Sequence, residues 1–282
     1  MKSIFPTTID INPTANCNMH CKFCWGPNSS GKAELDLSQW CKIIDFFADN
    51  GTKSIVFTGG EPLMYKDIIH LIKYAKNKNL RTTLSTNTLL LKSLKNNLLK
   101  YVDDIGVPLD GYNMMTNCNM REGVTTHFSS VISSLDYIKK SNKNIFLTVR
   151  TVLSKKNFKD IEKIGELLKV KHQKFDRWKI YQFAPFGKGR ENKKYFFISY
   201  EKFLNIIKKL KFKFKNIDIQ ASSQRDGIGK YVFINPQGDI YGIKNLTGMY
   251  KNGVNFFDST ELEIKNSITG LFVSKKNTKH GV

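Results

Sequence analysis

The sequence predicts an α/β chain: an open, partial (β/α)6 barrel of the TIM type, followed by a C-terminal extension. Three observations predict it. Short apolar runs with period-two alternation exchange six times with segments of helical spacing between residues 8 and 210, and repeated β-α units imply parallel strands with crossover helices. The repeat stops short of the ~250 residues usual for a closed eight-fold barrel. After Leu210 the pattern changes, so residues 1–210 are read as the barrel core and 211–282 as an extension that closes the substrate cavity.

Thr8-Ile9-Asp10-Ile11-Asn12 alternates as a first strand, and a cysteine-containing loop follows its end. Trp40, Ile43, Ile44 and Phe47 recur at helical spacing, with Asp36 or Ser38 as N-cap and Gly51 as the stop. Lys53 to Phe57 is the second strand, and Ile68, Leu71, Ile72 and Ala75 mark the helix after it. Strand Arg81–Ser85, a helix around Leu91–Leu99, strand Ile105–Leu109 and a helix near Val131–Ile138 continue the series. Strand Ile145–Val152, helix Ile161–Leu168, strand Trp178–Phe183 and helix Tyr200–Leu210 complete it. Beyond it, Ile217–Ile219 and Tyr231–Ile234 read as strands, and Asn235-Pro236-Gln237-Gly238-Asp239 as a turn into Ile240-Tyr241. Strand ends face the site in barrels of this kind, so the loops after the strands are where function is expected.

Composition sets the outer limits. Lys and Arg number 45 against 24 Asp and Glu, a formal charge of +21, which favours anionic ligands. The basic residues are scattered without aromatic interleaving, so nucleic acid is not expected as a partner. No apolar stretch approaches the ~20 residues that span a bilayer, and Met1-Lys2-Ser3-Ile4-Phe5-Pro6 lacks the apolar run of a secretory signal. Five cysteines, three of them clustered, make no disulfide framework. Thiols that must stay reduced predict a cytoplasmic location.

The chemistry centres on Asn16-Cys17-Asn18-Met19-His20-Cys21-Lys22-Phe23-Cys24. Cys17, Cys21 and Cys24 stand in a C-x3-C-x2-C spacing, and two short gaps let three thiolates from one loop converge on one inorganic centre. Closed structural sites use four such ligands, so a coordination position stays open unless another residue fills it. A structural zinc loop borrowing Cys41, Cys118 or a histidine is the competing reading. Thr58-Gly59-Gly60-Glu61-Pro62 follows the second strand; its glycines let backbone approach a ligand, and its carbonyls and the Glu61 carboxylate are placed to accept from an ammonium group. Ser85, Thr86 and Asn87 end the third strand, and Asp110-Gly111 followed by Met120-Arg121-Glu122-Gly123 comes after the fourth. Thr148 and Arg150 share one face of the fifth strand, and Lys179 interrupts an apolar sixth strand. Inward-pointing arginine and lysine would need an anion and together make a phosphate clamp. His127 is read as a cap or surface residue outside the chemistry.

The cysteine spacing with Phe23 before the last cysteine, together with Gly59-Gly60-Glu61-Pro62, resembles the radical S-adenosylmethionine (SAM) enzymes. The resemblance implies a [4Fe–4S] cluster held by Cys17, Cys21 and Cys24, whose fourth iron is chelated by SAM. One-electron cleavage of SAM would then give a 5′-deoxyadenosyl radical. It also implies that Gly59, Gly60, Glu61 and Pro62 hold the SAM amino group. Ser85, Asn87 and Arg121 would contact its ribose or carboxylate. An electron donor such as flavodoxin or ferredoxin follows. The tail has no cysteine, so a second cluster is not expected.

The order of Trp178–Phe183, Phe197-Ile198-Ser199, Ser222-Ser223-Gln224 and Lys230–Ile234 is similar to viperin-like nucleotide dehydratases. That likeness implies conversion of a ribonucleoside triphosphate, such as CTP, to its 3′-deoxy-3′,4′-didehydro form, an antiviral chain terminator, with Arg150 and Lys179 binding substrate. Trp25-Gly26-Pro27, Thr148, Arg150 and the ending Lys279-His280-Gly281-Val282 depart from that pattern. A radical SAM enzyme acting on a peptide is the alternative within the family. A basic, zinc-containing nucleic-acid-binding protein is the alternative outside it.

Overall fold

The computed structural model describes residues 5–26, 33–93, 95–122, 124–141, 144–171, 174–245 and 250–271. Pro27, Gly123 and the Lys279–Val282 ending lie outside these residues. Strands β1 (Thr8–Ile11), β2 (Ser54–Phe57), β3 (Arg81–Ser85), β4 (Asp104–Pro108), β5 (Phe146–Leu153) and β6 (Arg177–Gln182) pair in chain order, all parallel. Between them run α1 (Leu37–Asp49), α2 (Ile68–Asn77), α3 (Lys95–Leu99), α4 (Met114–Met120), α5 (His127–Lys140) and α6 (Ile161–Val170). The short α7 (Lys188–Glu191) and α8 (Lys193–Phe196) precede α9 (Tyr200–Lys213).

Local signals explain the elements. Asp36 caps α1: its carboxylate accepts from the Gln39 amide, and the Gln39 side chain accepts from the Asp36 amide, a reciprocal box that satisfies two otherwise orphaned donors. Trp40, Ile43, Ile44 and Phe47 then form the buried stripe. Along the strands the residues facing the helices are buried and mostly apolar, among them Ile9, Ile11, Ile55, Phe57, Leu84, Ile105, Val107, Val149 and Ile180, with Thr82 and Thr151 as buried polar exceptions. The opposite face carries half-buried Asp10, Val56, Thr83, Thr148, Arg150, Lys179 and Tyr181. Parallel strands covered on both faces are ordinarily apolar throughout. A polar second face marks a curved sheet that wraps a lumen.

The parallel order extends one strand beyond the six expected. β7 (Ile219–Ser222) pairs with β6 after α9. Ile217 alternates with Ile219 but packs below the ladder, whose first pair is Trp178–Ile219. The chain then crosses to the other side of the sheet. There β8 (Phe233–Ile234) runs parallel to β1, and β9 (Asp239–Ile243) and β10 (Tyr250–Asn255) continue antiparallel. The sheet order is β10-β9-β8-β1-β2-β3-β4-β5-β6-β7, so the barrel is partial and open. The segment from Ser222 to Phe233 spans the gap between its two sides. The expected hairpin at Asn235–Asp239 is present, turning through Gly238 at φ +85°. β10 and α10 (Glu261–Leu271), whose Ile264, Ile268 and Leu271 are buried, add a strand and a helix to the C-terminal extension. Among the described residues no helix is long and apolar enough to cross a membrane.

Candidate active site

The cysteine loop leaves the C-terminal end of β1 and is zipped to the glycine loop after β2. The Gly60 amide donates to the Thr14 carbonyl at 2.9 Å and the Glu61 amide to the Asn16 carbonyl at 2.8 Å. This approach admits no side chain. A Cβ on Gly60 would lie 2.2 Å from the Asn16 carbonyl oxygen, and Gly59 adopts φ +121°, a left-handed conformation open to glycine. Pro62, without an amide proton, opens a 3-10 turn at Pro62–Met64.

Glu61 is buried, and its carboxylate is fully engaged. It accepts from the Leu63 amide at 3.1 Å, the Thr86 hydroxyl at 2.7 Å and the Asn87 amide at 2.7 Å. Burial pushes its acid up to about 7 against these three donors. It therefore ties the loop after β2 to the loop after β3 instead of standing free for an ammonium.

Cys17, Cys21 and Cys24 are free thiols brought together by this loop. The Cys24 amide donates to the Cys21 carbonyl at 3.1 Å, and the Gly26 amide points at the Cys24 sulfur from 3.2 Å. Asn87 Nδ2 and Arg121 Nη1 each lie 4.0 Å from a sulfur, Cys17 and Cys21 respectively. Burial raises all three thiols; Cys21 pushes Cys17 and Cys24 further up and Asp110 does the same to Cys21, while Arg121 pulls all three down. Thiols so placed need an added positive centre to deprotonate, which a metal cluster supplies. Among the described residues no three His, Cys, Asp or Glu side chains gather round one point as a single ion requires; a multi-iron cluster spreads its ligands wider.

Arg121 does not extend freely. Its Nε donates to Asp110, fully buried, at 2.5 Å, and its guanidinium covers the Phe23 ring at 5.3 Å. Asp110 also accepts from the Val152 amide at 2.7 Å. The ion pair thus anchors a cation beside Cys21. His127, expected at a surface or cap, is instead fully buried, bonded to Asn117 at 2.8 Å and held neutral, its acid lowered to about 3 by burial.

The remaining expected residues form a second group inside the lumen. Arg150 and Lys179 are register partners on neighbouring strands. Arg150 reaches back across Gly106, where a Cβ would sit 2.2 Å from its guanidinium carbon, to donate to the Ser85 hydroxyl at 2.7 Å. Ser85 therefore belongs with the lumen cations, whereas Asn87 belongs with the cysteines and bonds Asn18 at 2.6 Å. Asp10 faces both cations, and burial raises its acid to about 7 although Arg150 and Lys179 draw it down. Asp10 was not singled out from the sequence. Its signal was an acidic residue at an inward position of an otherwise apolar strand. Above β1, Trp25, Phe233 and Tyr241 wall a small recess, with Trp25 edge-on to Phe233 at 5.2 Å and Asn12 donating to the Tyr241 hydroxyl at 2.8 Å.

The radical SAM superfamily model matches residues 11–168, which takes in the cysteine loop, the glycine loop and Arg150. The chain belongs to the radical SAM superfamily. This radical SAM enzyme is 29% identical over 204 residues to an AdoMet-dependent heme synthase from Methanosarcina barkeri, covering 71% of this chain and 57% of that one. It is 27% identical over 251 residues to an S-adenosylmethionine-dependent nucleotide dehydratase from Flammeovirga pacifica, covering 84% of this chain and 83% of that one. The chain spans about half the length of the first three curated relatives it matches. Its fold is similar to Streptococcus suis SuiB, solved with the precursor peptide SuiA, at TM-score 0.71, 18% identity and coverage of 98% and 69%.

The family's cofactors are a [4Fe–4S] cluster and SAM. The donor set fits them: three unlinked thiols on one loop, Cys21 buried and Cys17 and Cys24 half-buried, each near an N–H donor or a guanidinium. When bound, they supply a 5′-deoxyadenosyl radical that abstracts hydrogen. Cys17, Cys21 and Cys24 would hold three cluster corners, beside the Gly59–Gly60 loop that is hydrogen-bonded to the cysteine loop at Thr14 and Asn16.

Proposed function

We propose that this radical SAM enzyme dehydrates a ribonucleoside triphosphate to a 3′-deoxy-3′,4′-didehydro nucleotide. The observation that carries the reading is the pair of lumen cations. Arg150 and Lys179 lie side by side, and Arg150 keeps its Nε buried without a partner among the described residues. A buried guanidinium donor left open is set for an anion. The Flammeovirga dehydratase, aligned along most of both chains, supports a nucleotide as that anion.

In this reading Cys17, Cys21 and Cys24 bind the cluster, and Gly59, Gly60, Asn87 and Arg121 border SAM. Glu61 and Pro62 fix the loop, and Ser85 holds Arg150 in place to receive phosphate. Residues 211–282 act as the closing part of a two-part molecule, since Ser222, Tyr231 and Phe233 line the lumen from that side. An acidic flavodoxin or ferredoxin supplies the electron, in the reducing cytoplasm. A tetrapyrrole is the second reading, favoured by the heme synthase relative; its carboxylates would use the same cations.

The test is anaerobic incubation of reconstituted enzyme with SAM, dithionite and each common nucleoside triphosphate. 5′-Deoxyadenosine rising with one triphosphate, beside a product lighter by one water, is the expected result. No stimulation by any of them overturns the reading.

A further inference from the structure

Charged side chains enclosed by protein ordinarily pair with each other, because an enclosed charge without a partner is costly. The lumen breaks that habit. Asp10 feels Arg150 and Lys179 as its charged neighbours, yet it forms no ion pair or side-chain hydrogen bond among the described residues. Lys179 rests over the Tyr181 ring at 5.0 Å, and Arg150 spends one N–H on Ser85. Strand geometry keeps them apart. The two cations share a register row on β5 and β6, whereas Asp10 stands on β1 beside Phe233 of β8. Tyr231, from the segment that crosses the barrel gap, lies among Asp10, Tyr181 and Arg150. A cavity with a cationic wall and a separate carboxylate, held open by rigid strands, matches a ligand that offers an anion and hydrogen-bond donors at the same time.

We propose that Asp10 is a substrate-binding carboxylate that accepts from the sugar hydroxyls of a nucleotide whose phosphates lie on Arg150 and Lys179. This rests on the nucleotide reading above. In a nucleotide the ribose is the donor-bearing group next to the phosphates. A carboxylate within the field of both cations therefore meets the ribose before the base. It also repels phosphate, which fixes the direction in which the ligand enters. Asp10 is thus a determinant of ribose recognition, separate from the anion clamp.

The experiment measures equilibrium binding to anaerobic, cluster-loaded enzyme with SAM present, at about pH 8, where the carboxyl is ionised. ATP, CTP, GTP and UTP are compared, and then the 2′-deoxy and 3′-deoxy analogues of the tightest binder. Wild type is expected to favour the parent over at least one analogue by roughly 10-fold or more, the size of a charge-assisted hydrogen bond. Asp10→Ala is expected to bring that ratio close to one, and Asp10→Asn, which preserves shape, to lower it. Arg150→Gln should weaken parent and analogues alike. A wild-type ratio of one, or a ratio that survives in both Asp10 variants, overturns the assignment of Asp10 while leaving the nucleotide reading standing. Absence of binding by all four triphosphates overturns both.

Discussion

The cysteines were legible because ligand spacing within one loop is a local property. Cys17, Cys21 and Cys24 need no tertiary information to be found. Cys21→Ala is expected to abolish cluster incorporation and SAM cleavage while leaving a folded chain, checked by iron content and circular dichroism. Arg121 was expected at the SAM carboxylate or a substrate anion; the structure places it beside Cys21, with a partner the sequence did not reveal. Its pairing with Asp110, eleven residues earlier, depends on how α4 returns over the end of β4. Arg121→Ala leaves Asp110 buried and uncompensated, which should cost about 3–5 kcal/mol in denaturant unfolding. It should also make cluster incorporation require a higher pH, since Arg121 draws the thiols down. Incorporation with an unchanged pH profile would contradict that role. Glu61 illustrates the limit of a motif: its position was readable, but two of its three hydrogen-bond partners, Thr86 and Asn87, come from the loop after β3, and the third, Leu63, from the turn that Glu61 itself opens.

At the scale of elements, the β-α repeat was readable because each strand buries one apolar face and each helix one apolar stripe. α4, β10 and α10 were not, since their sequences are polar or short and owe their order to packing against neighbours. The third and fourth strands show how elements make a site together. Gly106 on β4 is bare so that Arg150 of β5 can cross it to Ser85 of β3. Gly106→Ala should push the guanidinium off Ser85, cost ~1–3 kcal/mol by overpacking, and weaken triphosphate binding while SAM binding persists. Paired titrations with the two ligands check this, and equal loss of both would show that the site itself has collapsed.

For the whole molecule, the open barrel was expected from length, whereas the way its gap is bridged was not, because β7 and β8 join opposite sides of the sheet. The bridging brings Tyr231 and Phe233 to the lumen and encloses Asp10, whose acid rises from 3.8 to about 7. Between those values the folded chain holds a proton that the unfolded chain has released. This contribution to stability is complete below about pH 4, is lost as the pH rises through 7, and is flat above. Relative to Asp10→Asn, the wild-type protein should therefore lose stability between pH 5 and 7.5 in denaturant titrations; parallel curves would refute the burial of that carboxyl. Over all of this stands the proposal that Cys17, Cys21 and Cys24 hold a cluster with one coordination corner open. Electron paramagnetic resonance of the reduced, anaerobically reconstituted enzyme tests it directly. Addition of SAM is expected to change the cluster signal, because in the proposed arrangement SAM binds the iron that no side chain holds. A signal indifferent to SAM, or a protein that takes up zinc in place of iron, would contradict it.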